Sequence, residues 1–207
     1  MFMSLLIILF QAKKSRSQTP KSTVEPIAGP SSSAEEDAAM VRYSTIHLNN
    51  CVIKGYHHYK IRPPTTDPPT LLHVDREYTN IHDESACLVW IPELGSFESK
   101  FHTLSTDDKR QLTLADVAGL PVGHVPREIA PIFRMVLDDG GTVLSEPCGE
   151  PIPSTDPWPE QNESGGGVHI PCNYIIKPVQ SLESVLSKLQ HSISNMKAGK
   201  CMRIVQK

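Results

Sequence analysis

The sequence predicts a mainly β fold: a small antiparallel barrel or curled sheet with two helices, preceded by a disordered leader. Three observations carry that expectation. Six short runs of β-branched and apolar residues recur between Cys51 and Ile176, each bounded by Pro, Gly or Asp clusters. Apolar residues repeat at helical spacing in two later segments, and the first 45 residues show no periodicity.

The leader comes first in the chain. Residues 11–40, "QAKKSRSQTPKSTVEPIAGPSSSAEEDAAM", are rich in Ser, Pro and Glu and offer no apolar face to offset the entropy of ordering them. The preceding "MFMSLLIILF" is apolar, but it is about half the ~20 residues that span a bilayer. No basic residue precedes it, and "KKSR" stands where a small-residue cleavage site belongs, so an unstructured or wrongly assigned start is expected and no membrane partner.

The six strand candidates are "CVIKGYHHY" (51–59), "TLLHVDRE" (70–77), "ACLVWIP" (86–92), "PVGHVP" (121–126), "TVLSEPC" (142–148) and "VHIPCNYII" (168–176). In a regular strand His58 and Tyr59 would point to opposite faces, so at most one of them would face a given groove. A polar insertion at 92–119 separates the third run from the fourth, with room for a short helix near Leu112–Val117, and 153–167 reads as a loop. The first main helix is expected from about Arg127 to Asp139, with Pro131 moving its start toward Ala130 and Gly140 at its end. A second begins at Ser181, a capping residue, with Val185, Leu189 and Ile193 on its apolar stripe. The basic end, 196–207, is expected to fray.

Composition narrows the function. Residues 1–49 hold five Lys/Arg against four Asp/Glu, residues 50–177 ten against eighteen, and residues 178–207 five against one. A core at −8 is unsuited to coating long stretches of nucleic acid, which takes many phosphate-neutralising cations, although it leaves room for touching an end. The five cysteines are widely spaced, without a Cys-x-x-Cys pair, and read as reduced thiols, most of them buried. Absent are the phosphate-cradling Gly-rich loop with its Lys, the dinucleotide fingerprint and the Gly-x-Ser-x-Gly nucleophile turn. No cofactor is expected, and no histidine pair has the His-x-x-x-His spacing that seats a metal on a helix.

"GYHHY" (55–59), "DREYTNIHDESA" (75–86) and "VGHVPREIA" (122–130) together resemble the HIRAN domain, over about residues 50–195. In that family a Gly-x-x-aromatic segment is followed by Arg-x-x-x-Asn-x-aromatic-Asp-x-x-Ala, then by Val-Gly-His and a basic residue opening a helix. The resemblance implies an OB-like barrel that binds single-stranded DNA at its 3′ end, as in fork-remodelling proteins, with the ATPase and RING parts of larger relatives missing here. It implies that Asp83 accepts from the terminal 3′-hydroxyl, with Asn80 beside it and Arg127 against phosphate. His58 and His82 would stand where the family has stacking aromatics, His57 where it can have Arg, and His124 within the Val-Gly-His segment. It also implies a nuclear location, to which the run "KKSR" adds a weak signal.

Chemistry gives these roles a rationale. A carboxylate accepts from a hydroxyl but repels a terminal phosphate, which favours a free end. Imidazole offers a smaller stacking face than tyrosine, while protonation would strengthen binding as pH falls through the ordinary histidine range. Asp83 and Arg127 are expected on opposite sides of one narrow pocket. The competing expectation is a barrel that has lost the DNA pocket and binds a protein through the 92–119 insertion or the basic tail. Under that reading Arg76–Asp83 is a structural ion pair and Gly123 only permits a turn. A metal-dependent hydrolase using the histidines is a weaker third expectation.

Overall fold

The computed structural model describes residues 45–207 except 108, 156–157, 159–166, 180 and 197–198. The expected leader, all but its last residue, and most of the 153–167 loop lie outside the described residues.

The observed architecture is a curled antiparallel sheet, half of a barrel, with helices against it. In chain order the elements are β1 (Ile46–Ile53), α1 (Tyr56–Tyr59), β2 (Leu72–Arg76), β3 (Cys87–Trp90), β4 (Ser105–Asp107), β5 (Leu112–Thr113), α2 (Leu114–Val117), β6 (Pro121–His124), α3 (Ala130–Asp138), β7 (Thr142–Pro147), β8 (Ile152–Pro153), β9 (Val168–Lys177), α4 (Leu182–Asn195) and β10 (Arg203–Gln206). The sheet runs β10-β1-β9-β7-β2-β3-β6, with β8 on β9, while β4 and β5 form a separate hairpin.

Five of the six strand candidates match an observed strand, while the first, 51–59, overlaps β1 only at Cys51–Ile53 because β1 begins at Ile46. The central one, β9, alternates as a half-buried strand should: Ile170, Cys172, Tyr174 and Ile176 point into the core. Tyr174 packs edge-on against Phe133 of α3 at 4.9 Å, and its hydroxyl donates to the Val52 carbonyl. A bulge between Leu48 and Cys51, where Asn50 has φ +58°, bends β1 against β9. The bend lets β1 run on to meet β6 at the Lys54–His124 bridge, curling the sheet toward closure.

Gly123 is needed at that crossing. A Cβ there would collide with the Lys54 carbonyl oxygen and lie 2.7 Å from Ile53 Cγ2. Close approach of two strands, and not a turn, is therefore what this glycine permits.

Two local expectations are corrected. His58 and Tyr59 are not on a strand: Gly55 and Lys60, both left-handed (φ +78° and +56°), bracket the single turn α1 and direct it away from β1. The basic end does not fray as a whole, because β10 pairs with β1 from Ile46–Gln206 to Asn49–Arg203. Helix α3 starts at Ala130 as expected, with Pro131 in its first turn, where a missing N–H costs no helical hydrogen bond. The insertion holds the short helix expected there: its capping box, Thr113 with Asp116, starts α2, and Leu114 and Val117 are buried in the main core. The second main helix follows expectation, as Ser181 accepts from the Ser184 N–H and Val185, Leu189 and Ile193 are buried.

Candidate nucleic-acid interface

Three separated segments meet where β1 runs on to β6. His124 ends β6, and its backbone exchanges two hydrogen bonds with Lys54, both 2.8 Å. The chain then turns at Gly55 into α1, close over the His124 ring: a Cβ on Gly55 would sit 3.5 Å from His124 Nδ1 and 3.8 Å from His58 Cδ2. The Tyr59 ring lies 5.7 Å from the same imidazole, and the His57 and His58 rings stand 3.9 Å apart. Burial, with the charge of Glu77, pushes the Tyr59 phenol up to about 12, so it remains a neutral hydroxyl.

The loop from β2 to β3 supplies the next group. Its base is closed by the Glu77 N–H donating to the Ala86 carbonyl. Inside it, Asn80 Oδ1 accepts from the backbone N–H groups of His82 (3.0 Å) and Asp83 (2.9 Å), and Asp83 Oδ1 accepts from that of Ser85 (2.9 Å). These overlapping side-chain-to-backbone turns use the short acceptors of Asn and Asp as a turn requires. They fix the Asp83 carboxylate with Oδ2 toward Arg127, whose Nε is 3.6 Å away.

Glu77 joins the loop to the strand. Its Oε2 accepts from Asn80 Nδ2 at 2.6 Å and lies 3.0 Å from His124 Nε2. Contacts therefore run from the Tyr59 ring through His124, Glu77, Asn80 and Asp83 to Arg127. Arg76 leaves in the other direction: it pairs with Asp138 of α3 and donates to the Glu84 carbonyl, while Arg134 binds the Glu84 carboxylate at 2.7 Å. The loop is thus clamped to α3.

All seven expected residues fall in this assembly, to different depths. His124, Asn80, Asp83 and Arg127 are connected through side chains. His82 contributes its N–H to Asn80 and leaves its ring exposed, and His57 is placed through His58. Two expectations about Asp83 are corrected. It pairs with Arg127 and not with Arg76, and the two charged groups touch directly instead of facing each other across a pocket. A cavity of about 490 Å³ lies elsewhere, between Arg62, Pro64, Thr66, Pro147 and Glu150.

Glu77 and Tyr59 were missed from the sequence. Glu77 had a signal, since it lies three residues before Asn80, the span of a turn. Tyr59 had none once its segment was read as a strand. Among the described residues no three of His, Cys, Asp and Glu gather as metal ligands. Cys87 is fully buried, and that burial pushes its thiol up to about 12, which disfavours the thiolate.

Comparison of the chain with protein-family models, curated proteins and solved structures returned no match.

Proposed function

We propose that the chain is a non-catalytic module that binds single-stranded DNA at its 3′ end, and that it works in the nucleus. The observation that supports this most is convergence: Asn80, Asp83, His124 and Arg127 are connected through side chains and Glu77, and the α1 turn that carries His57 and His58 stands beside them through the Tyr59–His124 ring contact. Asp83 Oδ1 is committed to the Ser85 N–H, whereas among the described residues Oδ2 pairs with Arg127 alone, at 3.6 Å. Arg127 is 82% exposed, and exposed ion pairs of this kind contribute about 0–1 kcal/mol. An arriving strand therefore separates the pair at little cost. Arg127 turns to a phosphate, and Oδ2 accepts from the terminal hydroxyl.

The loop also carries Tyr78 (80% exposed), its ring 4.8 Å from the Arg76 guanidinium. Since Arg76 is anchored on Asp138, this ring is held in place and offers a stacking face that imidazoles alone supply less well. The test compares a short labelled strand ending in 3′-hydroxyl with the same strand ending in 3′-phosphate. The hydroxyl end binds more tightly in the wild type, and Asp83→Asn removes the preference. Equal binding of both ends by the wild type overturns the reading.

A second reading is favoured by one observation. Tyr78 and Ile81, the latter 89% exposed, form an apolar tip on an otherwise polar loop, as a protein-docking surface would. It requires that neither strand binds.

A further inference from the structure

The hairpin formed by β4 and β5 is seated against the turn that carries His57 and His58. The Arg110 guanidinium donates to the carbonyl of Lys60, the residue that ends α1. Arg110 is itself fixed by Asp107, a nearly buried carboxylate that accepts from Arg110 Nε at 2.8 Å and from the backbone N–H groups of Lys109 (3.1 Å) and Arg110 (3.3 Å). The Arg110 hydrogen bond is the largest influence holding the Asp107 carboxyl below its usual range. Arg62 Nε approaches the same carboxylate at 3.9 Å, and its Nη1 donates to Glu150 at 2.8 Å. Four elements of chain are thus locked around one acid.

Charges in this cluster are not evenly matched. Asp107 and Glu150 answer Arg62 and Arg110. Lys60 and Lys109 form no ion pair among the described residues; Asp108 lies outside them. Lys109 is exposed at the hairpin tip, and Lys60 follows Tyr59 directly. Among the described residues of this acidic segment, Lys54, Lys60, Lys109 and Lys177 form no ion pair, and the Arg110–Lys60 hydrogen bond brings Lys60 and the residue next to Arg110, Lys109, to the edge of the candidate interface.

We propose that the insertion extends that interface. In this proposal Lys60 and Lys109 form a ridge that binds the sugar-phosphate backbone of the strand beyond its terminal nucleotides, and Arg110 is the positioning residue that fixes the ridge to α1. The proposal rests on the single-strand reading above. The occupant is a polyanion because the unpaired groups are ammonium ions, which attract phosphate as point charges, and because the ridge continues directly from α1.

The experiment uses the full chain and two labelled single strands with 3′-hydroxyl ends, about four and about twelve nucleotides long, within the usual footprint range. Each is titrated at several salt concentrations. The ridge predicts tighter binding and a steeper salt dependence for the longer strand. The Lys60→Ala/Lys109→Ala variant should lose about 1.4 from that strand's log–log salt slope, at about 0.7 per phosphate contact, and leave the short strand unchanged. Arg110→Ala, by releasing α1, should weaken both strands, with partial recovery in Arg110→Lys. Binding of both strands with identical slopes, or a double-lysine variant indistinguishable from wild type, overturns the ridge while leaving the end-binding reading intact. Failure of either strand to bind the wild type removes both.

Discussion

Replacing Glu77 by Ala tests how the interface is held together. The carboxylate has two partners, Asn80 Nδ2 at 2.6 Å and His124 Nε2 at 3.0 Å, and its side chain is 19% exposed. Hydrogen bonds to a charged group contribute about 1.5–3 kcal/mol, and an orphaned, partly buried donor adds to the loss on truncation. The loop keeps its backbone bonds to Asn80 Oδ1 and Asp83 Oδ1, so the damage is local. A destabilisation of about 2–3 kcal/mol is expected, which for a chain of this size lowers Tm by roughly 4–12 °C. Glu77→Gln keeps an acceptor and loses only the charge, so its effect should be about half.

Thermal unfolding of the single variants, His124→Ala and the double variant completes the cycle. The coupling between positions 77 and 124 should be about 1 kcal/mol or more, well above the additivity expected of unconnected sites. The same truncation should reduce the 3′-hydroxyl preference, because Asn80 then loses the side-chain partner that anchors it beneath Asp83. A Tm change below about 1 °C together with additive single effects would refute the argument that Glu77 joins loop to strand.

Three further outcomes are expected. Gly123→Ala forces a Cβ against the Lys54 carbonyl and Ile53, and should destabilise by about 1–3 kcal/mol in calorimetry; a neutral result would show that β1 and β6 do not cross as closely as described. His169 is buried with Ser154 Oγ at 3.4 Å from Nδ1, and burial holds its pKa below the usual value, so the unfolded chain binds more protons there. Its contribution to stability is complete above the unfolded value of ~6.5 and is lost as pH falls through that value toward the folded one; His169→Gln should flatten the slope of denaturant-measured stability below pH ~6.5. A thiol reagent should modify Cys148 and Cys201 in the native protein and Cys51, Cys87 and Cys172 only on unfolding, as mass spectrometry would read directly.

What was legible in the sequence follows from how local each cause is. Alternation in "VHIPCNYII", the cap at Ser181 and Pro131 near a helix start act within a few residues, and those elements stand where they were expected. The failures came from distant partners. "GYHHY" has strand-like composition, but two left-handed residues bracket its turn, and that turn packs on β6. The final basic residues look like a frayed end, yet the outer edge of β1 offered an unpaired ladder, and "RIVQ" has the β-branched residues to fill it. The insertion looked polar because its apolar residues are scattered: Leu114 and Val117 are buried, and Leu94, Phe97, Phe101, Leu104 and Leu112 pack against the core.

The same reasoning bears on the site. Resemblance selected Asp83 and Arg127 as partners of a ligand, and the fold makes them partners of each other. These roles are compatible because the pair is unequal. Asp83 is fixed by its own turn through Ser85, while Arg127, outside α3 and largely exposed, is held by little else. An ion pair with one rigid and one free member can open by rotation of the free side chain, without moving the backbone. Under the proposed function, such an opening would let a strand offer a phosphate to the guanidinium and a hydroxyl to the carboxylate. On this argument Arg127→Ala has two opposing effects: it exposes Asp83 Oδ2 permanently and removes a phosphate contact. Binding of the 3′-hydroxyl strand should weaken, with its salt slope reduced by about 0.7, and discrimination against 3′-phosphate should sharpen, because the bare carboxylate repels it more strongly. Loss of discrimination in Arg127→Ala, measured by titrating both strands, would mean that Asp83 reads the end only as half of the pair.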